Sequence, residues 1–296
     1  LKFGGEYERV TFHPDYTYAQ FVGTYKPIMD DDGEKIKYSY VPGPFIRILS
    51  KALRNALSNK AKPFVLIIEE INRAKVAAVF GEVFQLLDRD DDGVSEYEIY
   101  ATEDMKRYFV SQIGGNTSDY DSIRIPNNMY IWATMNSADQ GVFPMDTAFK
   151  RRWNFEYLGI NENEEKIKGA GKIMLPGSDE PIEWNMLRRA INDKMSSSEF
   201  KINEDKLMGP FFLAQKVTAS DNEGMIIDSD KFVSAFKSKV IMYLYEDAVK
   251  QGKHRFFDGC DNSKYSSVCD AFDTMGLSIF GPTFKETYYD KQRDDA

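Results

Sequence analysis

One stretch of the chain is continuously apolar and then turns acidic. Residues 64–68 read Phe-Val-Leu-Ile-Ile, and Glu69 and Glu70 follow directly. A short apolar run without alternation is typical of a strand that is buried on both faces of a parallel sheet. The pattern therefore predicts a buried strand that ends on two adjacent carboxylates.

A second buried strand is predicted in the segment NMYIWATMN, residues 128–136. Between the two strands, apolar residues at helical spacing predict a helix from about Arg73 to Leu87, which Asn72 would cap. The polar stretch 88–128 contains SEYEIYA and KRYFVSQI, which are predicted as strands of a hairpin. Strand, helix, hairpin and strand together make one parallel crossover of an α/β sheet.

The flanking regions have different patterns. Turn residues Asp30–Gly33 between two strand-like segments predict a hairpin, and apolar spacing predicts a helix over about Phe45–Leu57. From about Asn161 the sequence becomes a charged, glycine-containing linker, and helical patterns follow at 183–195 and 230–250. The expected domains are an α/β core (1–159), a helical lid (160–252) and a C-terminal extension without an assignable role (253–296).

Composition narrows the class of protein. The 296 residues are 42% hydrophobic and 29% charged, and no run of about 18 apolar residues indicates a membrane span. Cys260 and Cys269 are the only cysteines, which suggests a reducing compartment and a cytoplasmic protein. The net charge of −9 argues against a generally basic surface that coats nucleic acid.

Two carboxylates at a strand end can divide the work of phosphate hydrolysis. Glu69 could hold Mg²⁺, largely through water, while Glu70 orients or deprotonates an attacking water. This is the arrangement of a Walker B motif, four or more apolar residues followed by two acids. Taken singly, the same pattern also fits a strand that ends in a solvated acidic turn.

Polar residues farther along the chain favour the hydrolytic interpretation. Asn136 ends the second predicted strand, so neighbouring parallel strands would place it beside Glu70, with Asp139 close by. Arg151 and Arg152 follow, and arginine stabilises phosphoryl-transfer charge, often from a neighbouring subunit. Alone, the asparagine could be a cap and the arginines a basic turn, but their succession favours a nucleotide site.

The segments LIIEEINRAKVAAVFGEVFQLLD, IWATMNSAD and PMDTAFKRRW resemble the McrB-type AAA+ motor of modification-dependent restriction systems. FHPDYTYAQFVGTYKP and KLMGPFFL (206–213) are also similar to segments of that family. The 16–44 hairpin looks like the helix-2 insert of MoxR-type and dynein-type AAA+ proteins. The resemblance covers roughly residues 8–250.

The resemblance implies an α/β fold: an AAA+ P-loop-type parallel sheet core of the helix-2-insert clade with a C-terminal helical lid. It implies hydrolysis of GTP or ATP with Mg²⁺ in a hexameric ring. Glu69 would hold Mg²⁺, Glu70 would activate water, and Asn136 would be the polar sensor. The remaining expected site residues are Asp139, which would support the sensor, and Arg151 and Arg152, which would serve the adjacent subunit. The implied partners are a separate McrC-like nuclease and DNA, in a restriction system of phage defence.

Three departures from the family pattern bear on this expectation. The family usually has Asp where Glu69 stands, and commonly Arg where Gln140 stands. No G-x-x-x-x-G-K-[ST] phosphate loop is present, and the chain begins with Leu1 rather than Met. The family's loop lies upstream of the segment at His13, so we expect it before Leu1, and these 296 residues alone should bind nucleotide weakly.

Two other functions stay open at this point. One is a MoxR-like AAA+ ATPase that remodels proteins and needs no nuclease. The other is a degenerate ring subunit that does not hydrolyse nucleotide, which an intact phosphate loop upstream would contradict.

An acidic segment resembles a calcium site. DRDDDGVSEYEI, residues 88–99, has Asp88, Asp90, Asp92 and Gly93 at EF-hand positions 1, 3, 5 and 6. Position 12 should be a bidentate glutamate but is Ile99, and a strand-like segment follows where a helix is required. An acidic hairpin turn is the favoured interpretation.

Overall fold

The computed structural model of the protein describes residues 4–29, 32–33, 35–58, 60, 62–136 and 141–294. The chain forms two compact units, Leu1–Phe155 and Glu156–Ala296. In chain order the first unit contains β1 (Glu6–Thr11), α1 (Tyr18–Phe21), β2 (Gly23–Met29), β3 (Ile36–Pro42), α2 (Pro44–Ala56), β4 (Phe64–Glu69), α3 (Val76–Phe80), β5 (Ile99–Tyr100), α4 (Glu103–Ile113), β6 (Ser122–Ile123), β7 (Met129–Ala133) and α5 (Thr147–Lys150). Short 3₁₀ turns lie at Ile71–Arg73, Gly81–Leu87 and Thr117–Tyr120.

The centre of the first unit is a parallel sheet in the order β1-β4-β7. The register pairs Thr11 with Glu69 and Ile68 with Ala133, so all three strands end at the same edge. The predicted strand over 64–68 and its parallel pairing with the second strand are confirmed. Residues 64, 66 and 68 of β4 face the hydrophobic core, where α2 also packs.

The hairpin and the first long helix are also confirmed. β2 and β3 pair antiparallel with Gly23 opposite Pro42, although Asp30 and Asp31 of the predicted turn lie outside the described residues. α2 begins with Pro44 in its first turn, where proline's missing N–H costs nothing. Its buried face follows the predicted helical spacing: Phe45, Ile46, Ile48, Leu49 and Ala52.

The helix predicted from Arg73 to Leu87 is wrong as one continuous element. A 3₁₀ turn, the short α3 and a second 3₁₀ turn replace it, and the break falls at Gly81, whose φ is +52°. A Cβ on Gly81 would meet the ring of Tyr18 at 2.8 Å, so this position requires glycine. Apolar spacing survives the break because both helix types bring residues three or four apart onto one face.

The predicted hairpin strand KRYFVSQI is wrong, because these residues form most of α4. Thr102 accepts a hydrogen bond from the backbone N–H of Met105 and caps the helix. Met105 and Phe109, four residues apart, are buried on its inner face. The cap and this spacing outweigh the strand preference of Tyr108, Phe109 and Val110.

The second strand was expected to be buried, and this is also wrong. Tyr130 is 49% exposed and Trp132 is 60% exposed, while Met129 packs in the core. β7 is the outer strand of the described sheet, and its aromatic residues lie on the face turned away from that core. The run looked continuously apolar because Tyr130 and Trp132 are aromatic, although successive side chains of the strand alternate between the core and solvent.

The second unit is mostly helical and has its own core. Its elements are β8 (Lys172–Ile173), β9 (Ile182–Glu183), α6 (Trp184–Ser196), α7 (Ser229–Ala235), α8 (Lys253–Phe256), α9 (Tyr265–Met275) and α10 (Phe284–Asp294). π-helical turns at Phe236–Ile241 and Leu244–Ala248 continue α7, and 3₁₀ turns lie at Glu164–Lys166, Glu204–Lys206 and Gly276–Phe280. Residues 253–296 share this core through side chains such as Phe256, Phe272, Phe280 and Tyr288. None of the helices in the described ranges is long and apolar enough to cross a membrane.

Candidate functional site

The carboxyl ends of the three parallel strands form one edge, and hydrogen bonds extend beyond the strands there. The backbone N–H of Phe12 donates to the carbonyl of Glu69 over 2.9 Å. On the other side, the N–H of Ile71 donates to the carbonyl of Thr134 over 3.0 Å. The residues after β1, β4 and β7 are therefore held together, at the edge where open α/β sheets bind ligands.

Glu69 is held by two side chains of the neighbouring strand. Arg9 Nη2 lies 2.5 Å from one carboxylate oxygen, and the Thr11 hydroxyl donates to the other over 3.1 Å. The hydrogen bond from Arg9 is the main reason why the pKa of the Glu69 carboxyl lies below its ordinary value. Glu69 is thus a carboxylate whose two oxygens already have partners.

Glu70 leaves the strand in an unusual backbone conformation. Its φ of +56° and ψ of +46° are left-handed, which costs a residue with a side chain more than it costs glycine. Its N–H donates to the Thr134 hydroxyl over 3.2 Å, which ties the turn to the strand end after β7. This conformation explains how two adjacent glutamates leave the strand in different directions.

One oxygen of the Glu70 carboxylate receives no hydrogen bond within the part of the chain that the structure describes. Its Oε2 is shielded from solvent and receives no hydrogen bond from the described residues. Arg73 Nε lies 3.5 Å from it, an ion-pair contact that is longer than an ordinary hydrogen bond. A buried carboxylate oxygen without a donor is a natural acceptor for a proton of a bound water.

Asn136 lies at the same edge as the glutamates. Its backbone carbonyl accepts a hydrogen bond of 2.8 Å from the side-chain amide of Asn72, and its side chain is exposed. Asn72 was expected to cap a helix, and this is wrong, because its amide crosses to the strand end beyond β7. Asp139, the expected support of Asn136, and Gln140 lie outside the described residues.

The two arginines have different surroundings. Arg152 donates through Nε and Nη2 to Asp88 at 2.8 and 2.6 Å, and its guanidinium lies 4.1 Å from the centre of the Phe84 ring. Arg152 is 10% exposed, so the pair is largely shielded from water. Arg151 is exposed and forms no ion pair with any described residue. Arg152 is therefore paired within the chain, whereas the side chain of Arg151 is exposed.

Two aspartates of the acidic segment 88–99 are held by hydrogen bonds within the chain. Asp88 is taken by Arg152, and Asp90 Oδ1 accepts from the backbone N–H groups of Asp92 and Val94. In the described part of the chain no group of three or more His, Cys, Asp or Glu side chains could hold a metal ion.

Sequence reasoning missed Arg9, Thr11, Thr134 and the bond made by Asn72. These residues come from strands separated by about 60 positions from Glu69 and Glu70. The order of the strands in the sheet cannot be read from the sequence. The one usable signal was the spacing of Arg9 and Thr11, two residues apart and hence on one face of a strand.

Comparisons with known proteins show the family to which the chain belongs. The AAA domain family (dynein-related subfamily) matches residues 1–153. The Type II restriction enzyme BsuMI component YdiS of Bacillus subtilis (strain 168) is 40% identical over 289 residues, which cover 90% of this chain and 77% of that protein. The Type IV methyl-directed restriction enzyme EcoKMcrB subunit of Escherichia coli (strain K12) is 30% identical over 148 residues, which cover 49% of this chain and 27% of that protein.

Proposed function

The chain belongs to the dynein-related subfamily of AAA domain proteins and is related to McrB restriction subunits, and on that premise we propose that it hydrolyses a nucleoside triphosphate to drive a restriction system. The main support is the strand edge itself. Glu69 ends β4, Glu70 follows it, and Asn136 lies beyond the neighbouring strand β7, and hydrogen bonds connect these strand ends.

We assign Glu70 as the general base that orients and deprotonates the attacking water. Its left-handed backbone carries the carboxylate away from Glu69, and its Oε2, which receives no hydrogen bond from the described residues, can accept the proton. Asn136 would hold the same water or the γ-phosphate through its side-chain amide, with Asp139 beside it. A carboxylate base and a neutral amide on adjacent strand ends form a polar pair suited to hydrolysis.

Glu69 would hold Mg²⁺, which supplies charge neutralisation of the phosphates during transfer. Each oxygen of Glu69 already accepts one contact, from Arg9 or from Thr11, so a directly bound cation would use the remaining lone pairs and would compete with the positive charge of Arg9. Binding through water would leave the pair intact. Neither GTP nor ATP is favoured by the residues at this edge.

The finer part of the proposal concerns assembly. The chain would act in a hexameric ring in which Arg151 reaches the site of the adjacent subunit, and Arg152 would hold that segment in place. A separate McrC-like nuclease would be the partner, and DNA the substrate of the assembly. The names of both relatives, a component and a subunit of restriction enzymes, support a multi-protein system.

The test is hydrolysis of ATP and of GTP by the full-length protein, alone and with a nuclease-like protein encoded beside it. The Glu69→Gln variant serves as the comparison across a Mg²⁺ titration. We expect turnover of one nucleotide and a higher Mg²⁺ requirement for the variant. Absence of turnover of either nucleotide, with the partner present, would support a non-hydrolysing ring subunit instead.

A further inference from the structure

Asn72 forms hydrogen bonds with Asn136 and with Phe143. Its side-chain Nδ2 donates to the Asn136 carbonyl over 2.8 Å, and its backbone carbonyl accepts from the N–H of Phe143 over 2.7 Å. Residues 137–140 within this segment lie outside the described residues. One residue of the turn after Glu70 is therefore hydrogen-bonded to both Asn136 and Phe143.

Burial of the Asn72 side-chain amide costs free energy of folding. The residue is 3% exposed, and its Oδ1 is buried without a hydrogen-bond donor among the described residues. A buried acceptor that has lost its water and gained no donor destabilises a fold. An apolar side chain of similar size would avoid this cost, so the contribution of the amide lies in the bond that it donates.

We infer that Asn72 is the positioning residue that fixes Asn136 beside Glu70. Asn72 follows Glu70 by two residues, and the backbone N–H of the intervening Ile71 donates a hydrogen bond to the carbonyl of Thr134. The turn that carries the base therefore also sets the position of the sensor segment. The catalytic consequence of this inference rests on the proposed function of Asn136, whereas the structural consequence does not.

Asn128 provides a matched control at the opposite end of β7. It is 6% exposed, its Nδ2 donates to the Ala52 carbonyl over 3.1 Å, and its Oδ1 is also buried without a donor among the described residues. The two asparagines thus have the same side chain, similar burial and the same unpaired acceptor. Only Asn72 lies at the carboxyl edge of the sheet.

The first experiment is amide hydrogen exchange on the full-length protein. Asn72→Ala and the apolar, volume-matched Asn72→Leu should accelerate exchange in peptides covering 134–143 by about 10-fold, because one anchor of the segment is lost. Asn128→Ala should leave these peptides within about 2-fold of the wild type. Unchanged exchange in both Asn72 variants, or equal acceleration in the Asn128 control, would overturn the inference.

The second experiment is a double-mutant cycle on nucleotide hydrolysis. If Asn72 acts through Asn136, Asn72→Ala should lower kcat about 10-fold with little change in KM, and it should add almost nothing to Asn136→Ala. If the double mutant lowers kcat by the product of the two single effects, the inference is contradicted. If Asn136→Ala alone leaves kcat unchanged, the proposed role of Asn136 fails, and hydrogen exchange alone decides the role of Asn72.

Discussion

The guanidinium of Arg9 lies 2.5 Å from the carboxylate of Glu69, between the neighbouring strands β1 and β4. Thr11, on the same face of β1, donates to the other Glu69 oxygen. The residue that would hold Mg²⁺ is therefore also half of an ion pair. Cation binding at this edge and the charge on Arg9 are linked.

The first prediction concerns the acidity of Glu69. Arg9→Ala should raise the pKa of the Glu69 carboxyl toward its ordinary value, because the hydrogen bond from Arg9 is the largest cause of the lowering. NMR titration of the Glu69 side-chain carboxyl carbon measures this change, and Arg9→Lys, which keeps the charge, should retain part of the lowering.

The sign of the effect on stability follows from linkage. A lowered carboxyl pKa in the folded state stabilises the protein above the ordinary pKa of glutamate, and that contribution is lost as pH falls through the lowered pKa. The stability difference between wild type and Arg9→Ala should therefore shrink in acid. An identical Glu69 titration in both proteins would show that the ion pair does not persist in solution.

The second prediction concerns the left-handed backbone of Glu70. Glu70→Gly should raise the free energy of unfolding of the first unit by roughly 0.5–1 kcal/mol, because glycine removes a left-handed penalty of about 1–2 kcal/mol but orders more backbone on folding. The same variant should lose hydrolysis, since the carboxylate is gone. Urea denaturation measures the stability change.

Glu69→Gly is the control for that substitution. Glu69 has the extended backbone of β4, so glycine there only weakens the strand and removes the contacts with Arg9 and Thr11. We expect a net loss of stability. Equal destabilisation by both glycines would mean that the Glu70 conformation carries no strain.

The third prediction separates the two adjacent arginines. Arg152→Ala should destabilise the first unit by about 2 kcal/mol, because it leaves Asp88 without its shielded partner and uncovers the Phe84 ring. Arg151→Ala should change stability by less than about 0.5 kcal/mol. It should nevertheless lower hydrolysis in the assembled protein by about 10³-fold.

Mixing of variants tests whether Arg151 acts between subunits. Assemblies that combine Arg151→Ala with Glu70→Gln subunits contain some interfaces with an intact glutamate and an intact arginine. Hydrolysis should therefore be faster in the mixture than in either variant alone. If mixing restores nothing, Arg151 does not complete a neighbour's site.

The fourth prediction concerns a buried arginine of the second unit. Arg188 is fully buried and donates to Asn161, Glu164, Asn185 and the carbonyl of Met208. Arg188→Ala should cost about 3 kcal/mol of unfolding free energy, since it removes the donor to the buried Asn185 Oδ1 and the cation that pairs with Glu164.

Trp184 in the same helix gives a fluorescence signal for that unfolding. The exposed pair of Arg255 and Glu199 is the control, and Arg255→Ala should cost less than about 0.5 kcal/mol. A stability loss for Arg188→Ala no larger than for Arg255→Ala would show that the buried network does not stabilise this unit.

Local patterns were enough to predict part of the fold. The strand over 64–68, the hairpin of β2 and β3, and α2 all follow from patterns within about 20 residues, where apolar spacing and turn residues act directly. The failures also have local causes. Gly81 broke a helix whose apolar spacing continued through the break, and the aromatic residues of α4 resembled a strand.

The candidate site could be predicted only where its residues are adjacent in the sequence. The pair Glu69 and Glu70 is visible in the sequence because an apolar strand precedes it directly. The pairs of Arg9 with Glu69 and of Arg152 with Asp88 join residues 60 and 64 positions apart. Such contacts depend on strand order and helix packing, which no local pattern specifies.

The most direct test of the central claim is nucleotide binding and cleavage by Glu70→Gln in the full-length protein. We predict that binding of the preferred nucleotide stays within a few-fold of the wild type, while the rate of cleavage in a single turnover falls by about 10² or more, as expected for loss of a general base. Glu82→Gln, which changes a glutamate that accepts from the Tyr18 hydroxyl, should cleave normally. Cleavage by Glu70→Gln at a rate close to that of Glu82→Gln would contradict the assignment of Glu70 as the base.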